Sequence, residues 1–244
     1  MHRFDLHAAF ATEPKGLQLG EFDGVLSRPR LGCFVQAETC AKNNGSGTNV
    51  IPTFTGNFLA ESLEEAEKLT KYVGDKLRKF ELLRIRCEYQ LPSLKYEQES
   101  RSLRVLNGNS PVASFARVAK GEEYFDSHIH MYGIDCTEKY ESAGSLVSLP
   151  IITNVSKTCP VPFVTQRWYN CTYEEAVKDL CLLYQRVFEP LQTMGVQVQC
   201  IPEMEFTHYD PDCQVTDAGW MQTPNTPFSL DRFHFLAPSQ IKFG

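Results

Sequence analysis

The segment Asp126-Ser127-His128-Ile129-His130 sets one carboxylate and two imidazoles at alternate positions. In an extended strand alternate side chains share a face, so Asp126, His128 and His130 form one polar row, opposite Phe125, Ser127, Ile129 and Met131. Three roles fit such a row. An imidazole titrates near neutral pH and moves a proton when a carboxylate such as Asp126 or Glu205 orients it. Two imidazoles one residue apart can bind a metal ion if Asp126, Glu203, Glu205 or His208 adds a third ligand. The plain reading is a half-covered sheet face, open to solvent, whose hydrogen-bonded side chains serve stability or a partner. The catalytic candidates are therefore His128, His130 and Asp126. Arg84, Arg86 and Arg167 can clamp an anion bidentately, and Thr165, Glu203 and Glu205 are further ligand-binding candidates from neighbouring strands. No second spaced ligand cluster accompanies the row, so no metal and no cofactor is assigned.

Those strands belong to a pattern that occurs twice. IPTFTGNFLAESLEEAEK (51–68) lies over VPFVTQRWYNCTYEEAVK (161–178) without gaps, at a constant offset of 110. Ser62 and Thr172 each precede a glutamate by three positions, Glu65 and Glu175, which is the capping-box signature of a helix start. Leu63, Ala66, Leu69, Val73, Leu77 and Phe80 recur at helical spacing after the first cap. Tyr173, Ala176, Val177, Leu180, Leu183, Val187 and Leu191 do so after the second, with Pro190 expected to kink or break that helix near its end. Strands with period two follow, Leu83, Ile85, Cys87 and Tyr89 in one copy and Cys200, Met204 and Phe206 in the other. Upstream, GCFVQAE (32–38) and EYFDSHIHMY (123–132) read as the first strand of each copy. The Asn-Gly near residue 44 reads as a hairpin tip.

The expected fold is α+β: two tandem, pseudo-duplicated β-β-α-β halves of ferredoxin-like type, mainly antiparallel, with helices on one face. An alternative joins both halves in one continuous sheet. The expected divisions are an N-terminal extension (1–31), a first repeat (32–90), a connector (91–122), a second repeat (123–208) and an irregular tail (209–244). A groove at the junction of the halves is the natural ligand site.

Composition excludes several classes. With 30 acidic against 24 basic residues, the chain lacks the basic balance of a nucleic-acid binder. No apolar run is long enough to span a membrane as a helix, and residues 1–16 lack the apolar core of a secretory signal. Nine scattered cysteines without a C-x-x-C pair suit a reducing, cytoplasmic setting.

The repeated strand ending in threonine, followed by a capped helix, is loosely similar to the two-histidine phosphoesterases, in which each half supplies an H-x-T motif. The matching triplets here are Thr53-Phe54-Thr55 and Phe163-Val164-Thr165. Both keep the threonine and lack the histidine, so the likeness is architectural and that family's mechanism cannot run at these positions. The leading functional expectation is a non-catalytic α+β protein binding a small-molecule or protein ligand. One alternative is a hydrolase or phosphoester-processing enzyme with a histidine general acid/base between the halves. The other is a structural or assembly protein using Tyr124, Tyr132 and Trp168 as an exposed interface.

Overall fold

Along residues 2–10, apolar and polar side chains alternate, and Phe4, Leu6, Ala8 and Phe10 are all buried. That pattern is a strand with one face in a core, and in the computed structural model it is the first strand of the sheet. The structure describes residues 1–37, 48–106, 112–132, 151–155, 161–193 and 199–211. In chain order the elements are β1 (His2–Phe10), β2 (Ser27–Ala37), β3 (Thr48–Ala60), α1 (Leu63–Leu77), β4 (Leu82–Gln90), β5 (Leu94–Glu97) and β6 (Ser102–Val105). There follow β7 (Tyr124–Tyr132), β8 (Ile151–Val155), β9 (Val161–Tyr169), α2 (Tyr173–Thr193) and β10 (Gln199–Tyr209).

Eight strands close into an antiparallel barrel in the order β1-β3-β2-β8-β9-β7-β10-β4, while β5 and β6 form a separate hairpin. With two α-helices among the described residues on a mostly antiparallel sheet, the fold is broadly α+β. The sheet is continuous and closed, which differs from the expected pair of ferredoxin-like sheets. No local pattern encodes closure: it comes from the seams β2–β8 and β4–β10, which join strands far apart in sequence. Each half has the same internal order, β4-β1-β3-β2 in one and β10-β7-β9-β8 in the other.

The segment set apart as an N-terminal extension contains β1, which pairs with β3 on one side and β4 on the other. The counterpart of β7 is therefore β1, and the strand first matched to it, containing GCFVQAE, is the counterpart of β8. The proposed hairpin tip and most of the tail, from 212 onward, lie outside the described residues.

The helices pack on the outside of the barrel. Ser62 accepts a hydrogen bond from Glu65 N at 3.2 Å and Thr172 accepts one from Glu175 N at 3.2 Å, so both expected caps form. Ala66, Val73 and Leu77 of α1 and Ala176, Leu180 and Leu183 of α2 bury their stripes against Phe4, Ile85, Phe125, Met204 and Phe206 of the sheet. Each large apolar side chain removed from water there contributes about 1.5–3 kcal/mol. Helix α2 continues to Thr193, beyond Pro190. Gly56 lets Leu26 lie against β3, because a Cβ at Gly56 would stand 2.9 Å from Leu26 Cδ1. With the outer faces of β1, β4, β7 and β10 packed against the helices, their opposite faces turn into the barrel.

Candidate functional site

The row on β7 keeps the expected parity but not the expected exposure. Phe125, Ser127 and Ile129 are buried on the outer face, where Trp168 Nε1 donates to Ser127 Oγ at 2.8 Å. Tyr124, Asp126, His128 and His130 point into the barrel, and Tyr124, Asp126 and His128 are buried as well. The open polar face expected from the sequence is thus the barrel lining. Alternation reports that a face is polar, but a lumen and bulk solvent select the same residue types. The expected interface of Tyr124, Tyr132 and Trp168 does not form one exposed surface, since Tyr124 and Trp168 are buried and Tyr132 alone is exposed.

Register then assigns each neighbour. Across β9, Asp126 faces Arg167 and His128 faces Thr165. Across β10, Asp126 faces Glu205 and His128 faces Glu203. On the other side of the barrel, His7 of β1 faces Thr55 of β3 and Arg86 of β4, while Asp5 faces Asn57 and Glu88. Thr55 and Thr165 are the equivalent residues of the repeated segment, so His7 corresponds to His128, Asp5 to Asp126 and Glu88 to Glu205. The sequence carries the same statement as Phe4-Asp5-Leu6-His7 and Phe125-Asp126-Ser127-His128. These residues were missed in the sequence, although the shared F-D-x-H pattern was there to find them.

Along the lumen the polar groups form three levels. At one end, Arg84 grips Asp210 bidentately, Nε to Oδ1 at 2.8 Å and Nη2 to Oδ2 at 2.5 Å, and Tyr124 Oη donates to the same carboxylate at 2.5 Å. This Arg84–Asp210–Tyr124 knot is a structural pin. In the middle, Arg86 Nη1 donates to Asp126 Oδ2 at 2.7 Å and lies 3.0 Å from Glu88 Oε1. Arg167 Nε stands 3.7 Å from the same Asp126 oxygen, with its guanidinium 4.7 Å from the Tyr124 ring centre. His7 Nε2 is 3.1 Å from Glu88 Oε2, and His128 Nε2 is 3.7 Å from Glu205 Oε2. At the other end, His130 Nε2 pairs with Glu203 Oε2 at 2.8 Å beside solvent. The structure therefore gathers Asp126, His128, Arg86, Arg167 and Glu205, and sets Arg84 and the His130–Glu203 pair at opposite ends. Thr165 is placed by backbone register, opposite His128. His208 lies elsewhere, paired with Glu123 at 2.8 Å.

Burial and charge pull these groups apart electrostatically. Burial lowers the His128 imidazole below its ordinary value, against the opposing pull of Asp126. Burial pushes the Glu205 carboxyl well above the usual carboxylate range, and Glu88, Glu203 and Asp5 reinforce it. Burial acts on Glu88 in the same direction, but Arg86 and His7 outweigh it and hold that carboxyl well below its usual range. A neutral imidazole, an ionised glutamate and a protonation-prone glutamate in one largely buried space can accept, hold or exchange a proton or a cation.

Neither protein-family models, nor curated proteins, nor solved structures offer a match to this chain. No helix among the described residues is long and apolar enough to cross a membrane.

Proposed function

We propose that the barrel interior is the ligand site and that it processes a small phosphoester, with His128 as the general base and Arg86 as the anion-holding group. The observation that supports this reading is the meeting of Arg86 and Arg167 at Asp126, with His128 two residues along on the same strand face. Both of the contacts given above for Arg86 leave from Nη1, and a guanidinium has donors on Nε and Nη2 as well. Its side chain is 14% exposed, so a phosphoryl oxygen entering the lumen can reach it. In the reaction His128 takes a proton from water, the water oxygen bonds to phosphorus, and the ester P–O bond breaks. The departing oxygen then takes the proton back from the imidazolium. The matched order of the halves and the repeated F-D-x-H support reading them as two copies of one ancestral β-β-β-α-β unit. Such a unit places one histidine from each copy in a shared lumen.

The test is hydrolysis of p-nitrophenyl phosphate and of its bis ester, followed as nitrophenolate release. His128→Ala is expected to lower kcat about 100-fold or more. Arg86→Lys should raise KM more than it lowers kcat. Absence of turnover with both esters, or an unchanged rate in His128→Ala, overturns the catalytic reading. A second reading, binding without turnover, is favoured by the closed Arg84–Asp210–Tyr124 knot, which resembles a scaffold more than a moving part. It predicts saturable binding of inorganic phosphate with no nitrophenolate release.

A further inference from the structure

The lumen has a second feature, which the proposed acid-base chemistry does not use. His7 of β1, Glu88 of β4 and Glu205 of β10 come from three consecutive barrel strands. Each offers one ligand atom, and these atoms lie within 4.8 Å of one another. We infer that His7, Glu88 and Glu205 form a binding site for one divalent transition-metal cation, of the Mn2+ or Zn2+ kind.

Two geometric observations stand beside the clustering. Glu88 is fully buried, and its Oε2 has no hydrogen-bond partner, while Oε1 accepts from Thr207 Oγ1 at 3.1 Å. That bare oxygen is the atom aimed at His7, 3.1 Å from Nε2 but outside hydrogen-bond geometry. Two donor atoms bound to one ion at ordinary zinc distances stand about 3.0–3.5 Å apart, so the His7–Glu88 spacing already suits a shared ion. Glu205 completes the triangle with a small movement of its carboxylate. A buried carboxylate oxygen without a well-aligned hydrogen bond is costly, and a cation shared with His7 Nε2 would satisfy it.

Charge gives the same answer. Around the cluster, the carboxylates of Asp5, Glu88, Asp126 and Glu205 face the guanidiniums of Arg86 and Arg167. A divalent ion bound here would favour the charged form of Glu205 and add positive charge beside these carboxylates. One imidazole and two carboxylates form a mixed nitrogen-oxygen set. It suits a first-row ion better than Ca2+ and leaves positions open for water or a ligand oxygen. The Glu67–Glu123–His208 cluster beside α1 is an internal control. There His208 already pairs with Glu123 at 2.8 Å and lies 3.8 Å from Glu67, outside the barrel.

The experiment is calorimetric titration of the chelator-treated full chain with MnCl2 and with ZnCl2, supported by the electron paramagnetic resonance of bound Mn2+. One ion per chain is expected. His7→Ala and Glu88→Gln should each weaken binding about 100-fold, and His208→Ala should leave it unchanged. His7 is partly exposed, so its variant remains informative if Glu88→Gln fails to fold by circular dichroism. Absence of saturable binding of both ions, or equal binding in wild type and His7→Ala, overturns the inference. The readout is binding, so a bound ion without ester turnover upholds this site and removes the proposed reaction, while turnover without ion binding does the reverse.

Discussion

Asp5 and Asp126 occupy matching places in the two halves of the barrel and live in opposite electrostatic surroundings. Asp5 accepts hydrogen bonds from two neutral amides, Asn57 Nδ2 and Gln90 Nε2. Asp126 faces two guanidiniums, those of Arg86 and Arg167. Burial raises both carboxyls; around Asp5 it prevails over His7 and Gln90, and that group sits above its ordinary value. Around Asp126, burial is outweighed by His128, Arg167 and Arg86, and the group sits below it. A neutral amide satisfies a carboxylate oxygen without supplying the charge that burial makes scarce. Backbone position is thus shared between the halves, whereas charge state is set by single substitutions on neighbouring strands, such as Asn57 against Arg167.

The sharpest way to break this comparison is to neutralise each aspartate in turn. Asp126→Asn leaves two buried guanidiniums facing an amide and should cost about 3–5 kcal/mol in denaturant unfolding. Asp5→Asn leaves one carbonyl oxygen to accept from the two amides of Asn57 and Gln90 and should cost about 1 kcal/mol. Equal losses would show that the halves do not differ as described.

Acid titration sharpens the same contrast through the sign of each shift. Asp126 is depressed when folded, so its contribution is complete above its unfolded value of 3.8 and is lost as pH falls through the lower folded value. Asp126→Asn should therefore lose less stability than wild type between pH 4 and the acid limit. Asp5 is raised when folded, so its contribution is complete below 3.8 and is lost as pH rises through the higher folded value. Asp5→Asn should gain on wild type as pH rises from acid toward neutral. Parallel stability curves for the two variants would refute the opposite shifts.

The sequence made the local parts of this picture legible and left the closed ones hidden. Both helices, their caps and the parity of β4, β7 and β10 follow from periodicities and spacings within a few residues of each other. Strand β1 was equally readable, with Phe4, Leu6, Ala8 and Phe10 alternating with Asp5, His7 and Ala9, yet it lies outside the segments matched at a constant offset. The reason is spacing. The two F-D-x-H stretches lie 121 residues apart and the two matched helix segments 110, because the stretches of chain between the first and third strands of each half differ in length. Surface loops tolerate such changes cheaply, so a constant-offset alignment keeps the β3–α1 unit and loses β1. Barrel closure was not legible at all. His7, Glu88 and Glu205 meet only after β1, β4 and β10 are laid side by side, and His7 is separated from Glu205 by most of the chain.

The smallest contrast between the halves lies at the helix starts. On α2 the box closes on itself: Thr172 N donates to Glu175 Oε2 at 2.8 Å, Thr172 Oγ1 donates to the same oxygen at 3.1 Å, and Glu175 N returns to Thr172 Oγ1. On α1 the carboxylate of Glu65 instead accepts from Glu61 N at 2.7 Å, one residue before the cap, so Ser62 takes part in a single bond of the set. Thr172→Ala should accordingly cost about 1 kcal/mol and Ser62→Ala about half as much, read as shifts in thermal midpoint at neutral pH. The Thr172 bonds, the backbone amide foremost, hold the Glu175 carboxyl below its ordinary value of 4.5. That contribution is complete above 4.5 and is lost as pH falls through the lower folded value. The deficit of Thr172→Ala should shrink in that window, while a deficit independent of pH would mean that the hydroxyl acts without the carboxylate.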